Sequence, residues 1–187
     1  MNRRTLLSSI GVSTLVVAWG AWNSRLVNAA CSVFGRTPAQ TEGPYYKRNP
    51  PLRTSLVEAG IPGRPLTIAG RVIDSQCRPM ANTRVDVWHA DTEGAYDSQG
   101  YRLRGYQVTD SEGRYEVKTI QPGLYPGRTR HIHVKITPPG RGTLTTQLYF
   151  PNEPGNVRDD IFNARLVIGI SETPQGSRGE YDFVMDS

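Results

Sequence analysis

Cysteine and histidine are both scarce in this chain of 187 residues, which contains two cysteines and three histidines. Neither Cys31 nor Cys77 lies in a Cys-x-x-Cys motif, so sulfur chemistry and a thiolate metal site are not expected. In an oxidising compartment the two thiols could form a disulfide that ties the start of the mature chain to the folded domain. Two unrelated thiols, or a lipid-modified Cys31, are the alternatives.

A large excess of charge of one sign is also missing. The formal net charge is +5, but residues 1–30 contribute three arginines and no acidic residue. The rest of the chain has 19 basic and 17 acidic side chains, a balance too even for binding nucleic acid or an anionic membrane. We therefore expect no nucleic-acid partner, and no membrane contact beyond the export signal described next.

Residues 1–29 have the pattern of an export signal. The pair Arg3-Arg4 precedes an apolar run that extends to Trp22, and small residues permit cleavage after Ala29. The five residues from Arg3 to Leu7 resemble a twin-arginine signal, whereas general secretion and an uncleaved membrane anchor are alternatives. We expect the mature protein to be exported to the periplasm or the extracellular space.

The mature chain, residues 30–187, has no sustained helical period, because glycine and proline interrupt it too often. Alternation of apolar and polar side chains predicts strands instead. The predicted strands cover residues 66–72, 84–88, 107–110, 114–119, 131–136, 144–150, 166–170 and 181–185. Turn residues at 110–113 predict a hairpin, and residues 53–60 and 159–164 could form short helical turns. We therefore expect an all-β chain: one antiparallel β-sandwich domain with long irregular loops.

Two of the three histidines, His131 and His133, are separated by one residue. Side chains two positions apart on a strand share a face, so these imidazoles can converge on one metal ion. A polar strand face that happens to hold two histidines is the alternative. The preceding segment, rich in proline and glycine, can fold Tyr125 over this face, and Arg128 would place a positive charge beside the ion. Another loop carries Tyr96 at its tip.

Five sequence blocks follow one another between Thr41 and Phe150. They are Thr-Glu-Gly-Pro-Tyr-Tyr (41–46), Gly-Arg-Val-Ile-Asp (70–74), Val-Asp-Val-Trp-His-Ala-Asp with Gly-Ala-Tyr-Asp (85–91 and 94–97), Gln-Pro-Gly-Leu-Tyr-Pro-Gly-Arg-Thr-Arg-His-Ile-His (121–133) and Thr-Gln-Leu-Tyr-Phe (146–150). In this order they resemble the intradiol ring-cleavage dioxygenases, and among these the catalytic domains similar to protocatechuate 3,4-dioxygenase.

The resemblance implies a non-haem ferric ion, Fe(III), held by two tyrosines and two histidines. Matched position by position, the ligands would be Tyr96, Tyr125, His131 and His133. A phenolate oxygen suits this hard cation better than a thiolate does. The cation would also lower the pKa of a bound tyrosine well below its usual value of about 10.

The resemblance also implies the reaction, in which O2 cleaves a catechol-type ring between its two hydroxyl-bearing carbons to give a muconate-type diacid. Tyr125 would leave the ion to accept a substrate proton, and Arg128 would stabilise negative charge on the ring. Gln147 would lie near the same pocket. The mouth of the pocket would be lined by Gly43, Pro44 and Tyr45. The implied partners are a small aromatic diol and O2, and homo-oligomers are common in the family.

Two positions depart from the family pattern and bear on the substrate rather than on the metal. Arg130 replaces the proline or alanine often found before the first histidine, and Gly127 stands where some relatives have a bulky aromatic residue. His89 is expected to be a structural hydrogen-bonding residue, because the implied ligand set is complete without it. A copper or zinc site on the neighbouring histidines, and an exported binding sandwich without catalytic activity, are the alternative functions.

Overall fold

A computed structural model describes residues 35–186 of the chain. The predicted export signal, residues 1–29, lies outside these residues, and so does Cys31. Cys77, which is described, is disulfide-bonded. No helix between residues 35 and 186 is long and apolar enough to cross a membrane.

The described residues form nine strands in two sheets. The strands are β1 (Pro65–Asp74), β2 (Arg84–Trp88), β3 (Arg104–Val108), β4 (Arg114–Ile120), β5 (His131–Thr137), β6 (Leu144–Tyr149), β7 (Gly169–Thr173), β8 (Gly176–Glu180) and β9 (Phe183–Met185). One sheet has the order β4-β1-β8-β7, with β9 also paired to β1, and the other has the order β3-β2-β5-β6. Paired strands are antiparallel, except that β1 runs parallel to β8 and β9. The predicted all-β sandwich is confirmed.

The core lies between the two sheets and follows from the alternation of side chains along each strand. On β5, Ile132, Val134 and Ile136 are at most 2% exposed and pack in one cluster with apolar residues of both sheets. His131 and His133 therefore face the other side of β5, where loops bury them. The four-stranded sheet thus presents both histidines on its outer face.

The turn at residues 110–113 forms as predicted, with the Gly113 N–H donating to the Asp110 carbonyl. The strands on either side of this turn do not form the predicted hairpin. Strand β3 pairs with β2, and β4 pairs with β1, so the turn carries the chain from one sheet to the other. Turn residues specify a reversal of the chain, whereas packing selects the sheet that each strand joins.

Strand β8 was not predicted, because its sequence Gly-Ser-Arg-Gly-Glu has no apolar alternation. Backbone pairing with β1 on one side and β7 on the other makes it a strand. The helical turns predicted at 53–60 and 159–164 are wrong. Short 3-10 turns occur instead at Asn156–Arg158, just before the second segment, and at Ala164–Leu166, which begins at its last residue.

Candidate metal centre

Four side chains form a row across the outer face of the four-stranded sheet. Trp88 on β2 lies opposite Arg104 on β3 and His133 on β5, and His133 in turn lies opposite Gln147 on β6. All four are at most 3% exposed, because the loops described below cover this face. The row forms the floor of the candidate site.

His131 and His133 lie side by side, with ring centroids 4.9 Å apart. The His131 Nδ1–H donates to the Thr129 carbonyl at 2.7 Å, so the lone pair is on Nε2. His133 stacks on Trp88 with centroids 4.8 Å apart. Burial lowers the pKa of His131 to about 4 and also lowers the pKa of His133, so both imidazoles are neutral near pH 7.

Three tyrosines close over the histidines. The Tyr96 hydroxyl donates to His131 Nε2 at 3.2 Å, and burial raises the pKa of Tyr96. Tyr45 stacks on Tyr96 with centroids 4.4 Å apart, and its hydroxyl lies 3.0 Å from the Tyr125 hydroxyl. Tyr125 is edge-on to Tyr96, with centroids 5.8 Å apart. We call the five residues that the structure brings together here the ring cluster: Tyr45, Tyr96, Tyr125, His131 and His133.

Close backbone contacts join the loops that carry Tyr96 and Tyr125. Gly94 has a φ of +85° and lies so near Leu124 that a Cβ would be 2.1 Å from the Leu124 carbonyl oxygen. The Gly123 N–H donates to the Asp91 carbonyl at 2.7 Å. Glycine at positions 94 and 123 therefore allows the two tyrosines to approach each other.

Arg128 is held at the edge of the ring cluster by two short hydrogen bonds and by a longer one from Nη2 to the Tyr149 hydroxyl at 3.4 Å. Its Nη2 donates to Gln147 Oε1 at 2.7 Å, and its Nε donates to Asp159 Oδ2 at 2.8 Å. Its Nη1 makes no hydrogen bond within the described part of the chain and is free for an anionic ligand. Burial alone would raise the pKa of Asp159, but the Thr129 N–H and the Arg128 guanidinium lower it overall, so the carboxylate is charged.

Asp159 and Arg104 were not identified from the sequence. The segment that contains Asp159 was predicted only as a helical turn, and the strand that begins at Arg104 was predicted to begin three residues later. Neither residue lies at a spacing that singles it out from the other charged residues of the chain. Their contacts in the folded chain are the only signal.

Two of the predicted substrate-lining residues differ in their surroundings. A Cβ at Gly43 would lie 3.5 Å from His133 Cε1, so Gly43 packs against this imidazole. Pro44 is exposed, one residue before the stacked Tyr45. At Gly127, a Cβ would meet nothing within 4 Å, so no neighbouring residue fills the space beside this glycine.

Arg130 and His89 are both occupied by structural contacts. The Arg130 Nε lies 2.5 Å from Glu153 Oε1, and its Nη1 donates to the Pro122 carbonyl, so Arg130 ties down the loop before β5. The His89 Nδ1–H donates to a backbone carbonyl at 2.7 Å, and its Nε2 accepts from the Thr119 hydroxyl at 2.6 Å. Neither nitrogen of His89 is left for a metal ion.

The side chains of the ring cluster fit a hard cation. Between residues 35 and 186, no group of three or more His, Cys, Asp or Glu side chains could hold a metal ion, so an ion here needs phenol oxygens. The donors would be the oxygens of Tyr96 and Tyr125 and the nitrogens of His131 and His133. Two phenolates and two imidazoles suit Fe(III). The hydrogen bond from His131 Nδ1–H to a backbone carbonyl is typical of a metal-binding histidine, because it leaves Nε2 free to bind the ion. The assignment of these four residues as ligands stays a prediction.

Comparison with known proteins gives the family. A family model described as Dioxygenase matches residues 41–187. The chain is 35% identical over 160 residues to the protocatechuate 3,4-dioxygenase beta chain of Burkholderia cepacia, covering 71% of this chain and 68% of that one. It is 28% identical over 176 residues to a catechol 1,2-dioxygenase of Acinetobacter baylyi, covering 78% of this chain and 57% of that one. The chain thus spans between about half and two thirds of the length of these curated relatives.

A solved structure gives a similar result. The dioxygenase domain of a dioxygenase–carbohydrate-binding protein fusion from Streptomyces sp. SirexAA-E is 51% identical, with a TM-score of 0.79. The match covers 81% of this chain and 98% of that domain. The fold and the sequence matches together show that the chain belongs to the intradiol ring-cleavage dioxygenase family.

Proposed function

We propose that this chain is a non-haem Fe(III) dioxygenase that uses O2 to cleave a catechol-type ring between its two hydroxyl-bearing carbons, giving a muconate-type diacid. The ring cluster carries the proposal, because it brings the Tyr96 hydroxyl to 3.2 Å from His131 Nε2 beside a second tyrosine and a second histidine. The names of the relatives, which include catechol and protocatechuate dioxygenases, support a small aromatic diol as the substrate.

The ferric ion would be held by Tyr96, Tyr125, His131 and His133. Bound there, Fe(III) would accept electron density from a chelated catecholate and make the ring reactive towards O2. The buried imidazoles are already neutral and can donate their lone pairs, whereas the phenols must give up their protons to bind.

Tyr125 would take a proton from the substrate, the role that its position in the family pattern implies. The Tyr45 hydroxyl lies 3.0 Å from the Tyr125 oxygen, so it could donate a hydrogen bond to that oxygen and stabilise it as a phenolate until it takes the proton. Arg128 would stabilise negative charge on the ring through its free Nη1, while Gln147 holds the guanidinium from the other side.

The test is iron loading followed by turnover. Mature protein loaded with Fe(III) should be red from tyrosinate-to-iron charge transfer. It should also consume O2 with members of a catechol panel and release a ring-opened diacid. Tyr125→Phe and His133→Ala should lose colour or turnover. Tyr106→Phe is the control, because this tyrosine lies on β3 against Arg84 and should change neither property.

Two outcomes would contradict the proposal. Full iron content in His133→Ala would remove that residue from the ligand set. Folded wild-type protein that binds no Fe(III) and stays colourless would favour the alternative, a binding sandwich without catalytic activity.

We also propose that residues 1–29 direct export of the chain, since Arg3-Arg4 precedes an apolar run. Cell fractionation tests this proposal. Loss of export when both arginines are changed to lysine would support the twin-arginine route, and unchanged export would support general secretion. Full-length protein that stays in the cytoplasm would contradict both.

A further inference from the structure

Arg104 is a buried cation without a carboxylate partner. Its side chain is 2% exposed, and it makes no ion pair with any residue between 35 and 186. Its Nη1 donates to the Tyr45 carbonyl, and its Nη2 donates to the Asp97 carbonyl at 2.9 Å. The two carbonyls, the face of the Tyr96 ring and the more distant charge of Asp97 compensate it without a direct ion pair. A buried charge held in this way is costly, so its presence on the floor of the site calls for a function.

The two carbonyls belong to different loops, and each loop carries one tyrosine of the ring cluster. The first loop, residues 43–47, contains Tyr45, and the second, residues 94–101, contains Tyr96. A second cation bridges the same loops, since Lys47 Nζ donates to the carbonyls at 99 and 100 at 2.7 and 2.8 Å. We call Arg104, Lys47 and their carbonyl contacts the loop clamp.

The loop clamp holds the two loops whose tyrosines, Tyr45 and Tyr96, stack on each other. Tyr45 and Tyr96 stack with only 5° between their planes. The Arg104 guanidinium lies 5.9 Å from the Tyr96 ring centroid. Arg104 is also opposite Trp88, on which His133 stacks. One buried side chain therefore contacts both tyrosine loops, and its residue pairs across the strands with the tryptophan that supports a histidine.

We propose that Arg104 is a positioning residue: it fixes the stacked Tyr45 and Tyr96 by holding the carbonyls of their loops. Once tyrosines bind the ion as phenolates, the unpaired charge of Arg104 partly compensates their negative charge. This second role rests on the proposed function, whereas the clamping of the loops does not.

Amide hydrogen exchange of the iron-free protein tests the clamping alone. In Arg104→Gln, exchange at residues 43–47 and 94–101 should be about tenfold faster than in the wild type, because the cross-loop contacts are lost. Arg104→Lys keeps the positive charge but has a single donor nitrogen in place of three, so its exchange rates should be intermediate. Arg114→Gln, which changes a surface arginine outside these loops, should match the wild type.

Iron release tests the second role. From Fe(III)-loaded Arg104→Gln, a chelator should remove the ion about tenfold faster than from the wild type. The visible charge-transfer band should also shift, and Arg104→Lys should restore most of both properties. Equal exchange rates in Arg104→Gln and wild type would overturn the positioning role, and an equal release rate with an unshifted band would overturn the charge role.

Two further results keep the test decisive. If Arg104→Gln does not fold, Arg104→Lys and Lys47→Met replace it. Lys47→Met removes the half-buried lysine of the loop clamp. If amide exchange at residues 97–100 is as slow in both variants as in the wild type, the proposal is overturned. If the wild-type protein binds no Fe(III), the proposed function fails, while the exchange experiment still decides the clamping.

Discussion

Single side chains of the ring cluster are held in defined protonation states by burial and by their hydrogen bonds. Burial lowers the pKa of His131 to about 4 and raises the pKa of Tyr96, so the protein alone keeps both neutral near pH 7. A cation that enters the site therefore finds lone pairs on imidazole and must displace the proton of a phenol. Arg128 is likewise aimed by its partners, Gln147 and Asp159.

Asp159→Asn should weaken turnover more than it weakens the fold. The amide can still accept from the Thr129 N–H but no longer balances the Arg128 charge, so the guanidinium loses its fixed direction. We expect kcat to fall about 10- to 100-fold, with the protein still folded and loaded with iron. Glu153→Gln, which breaks the neighbouring ion pair with Arg130, should leave kcat near the wild-type value. Steady-state kinetics with iron quantification decides between these outcomes, and equal kcat losses in both variants would contradict the assignment.

His89 should make the stability of the iron-free protein depend on pH. Burial lowers its pKa from 6.5 to about 4, so the unfolded chain binds the proton more readily than the folded chain does. The contribution of neutral His89 to the free energy of unfolding is complete above about pH 6.5 and is lost as pH falls towards 4. The loss is on the order of 3 kcal/mol. Denaturant unfolding of wild type and His89→Asn at several pH values measures it. The variant should lose less stability over this range while still binding iron, and identical pH profiles would contradict the prediction.

At the scale of elements, the site depends on two features. The outer face of the sheet formed by β2, β3, β5 and β6 is its floor, and loops that contact each other cover this face. The strands supply the row from Arg104 to Gln147, which is aligned by the register of pairing between strands, of which the central pair, β2 and β5, lies far apart in the sequence. The loops supply the tyrosines, and their approach depends on positions where a side chain cannot fit.

Gly94→Ala should separate the loops of Tyr96 and Tyr125. Its Cβ would lie 2.1 Å from the Leu124 carbonyl oxygen at a φ of +85°, so the backbone must move. We expect a stability loss of about 1–3 kcal/mol and faster release of iron to a chelator. Gly142→Ala is the matched control, because its Cβ would meet nothing within 4 Å and its φ is not positive. Denaturant unfolding and chelator kinetics measure both effects, and a Gly94→Ala protein that behaves like Gly142→Ala would show that the loop contact is dispensable.

At the scale of the whole molecule, one sheet carries the site and the other completes the core. The five-stranded sheet contributes Phe183 of β9, which is fully buried with Tyr115 and Tyr181 around it. Stability and site geometry are therefore separable, since the ring cluster lies on the outer face of the other sheet.

Phe183→Ala should lower the free energy of unfolding by about 3–5 kcal/mol, because it leaves a cavity in the core. Protein that remains folded should keep the iron-dependent visible band of the wild type. Val157→Ala, at a side chain that is 91% exposed, should change stability by less than about 0.5 kcal/mol. Thermal or denaturant unfolding together with the visible spectrum checks both expectations. A changed band in folded Phe183→Ala would show that the two sheets are coupled at the site.

The sequence by itself determined the all-β class and the family. Alternation is a local property of each strand, and blocks such as residues 121–133 keep several distinctive residues at fixed spacing. Only the tertiary structure decided that β4 leaves β3 for the other sheet, that the polar β8 is a strand, and that Arg104 and Asp159 reach the site. Each of these depends on contacts between residues far apart in the chain, for which charged or glycine-rich segments carry no periodic signal.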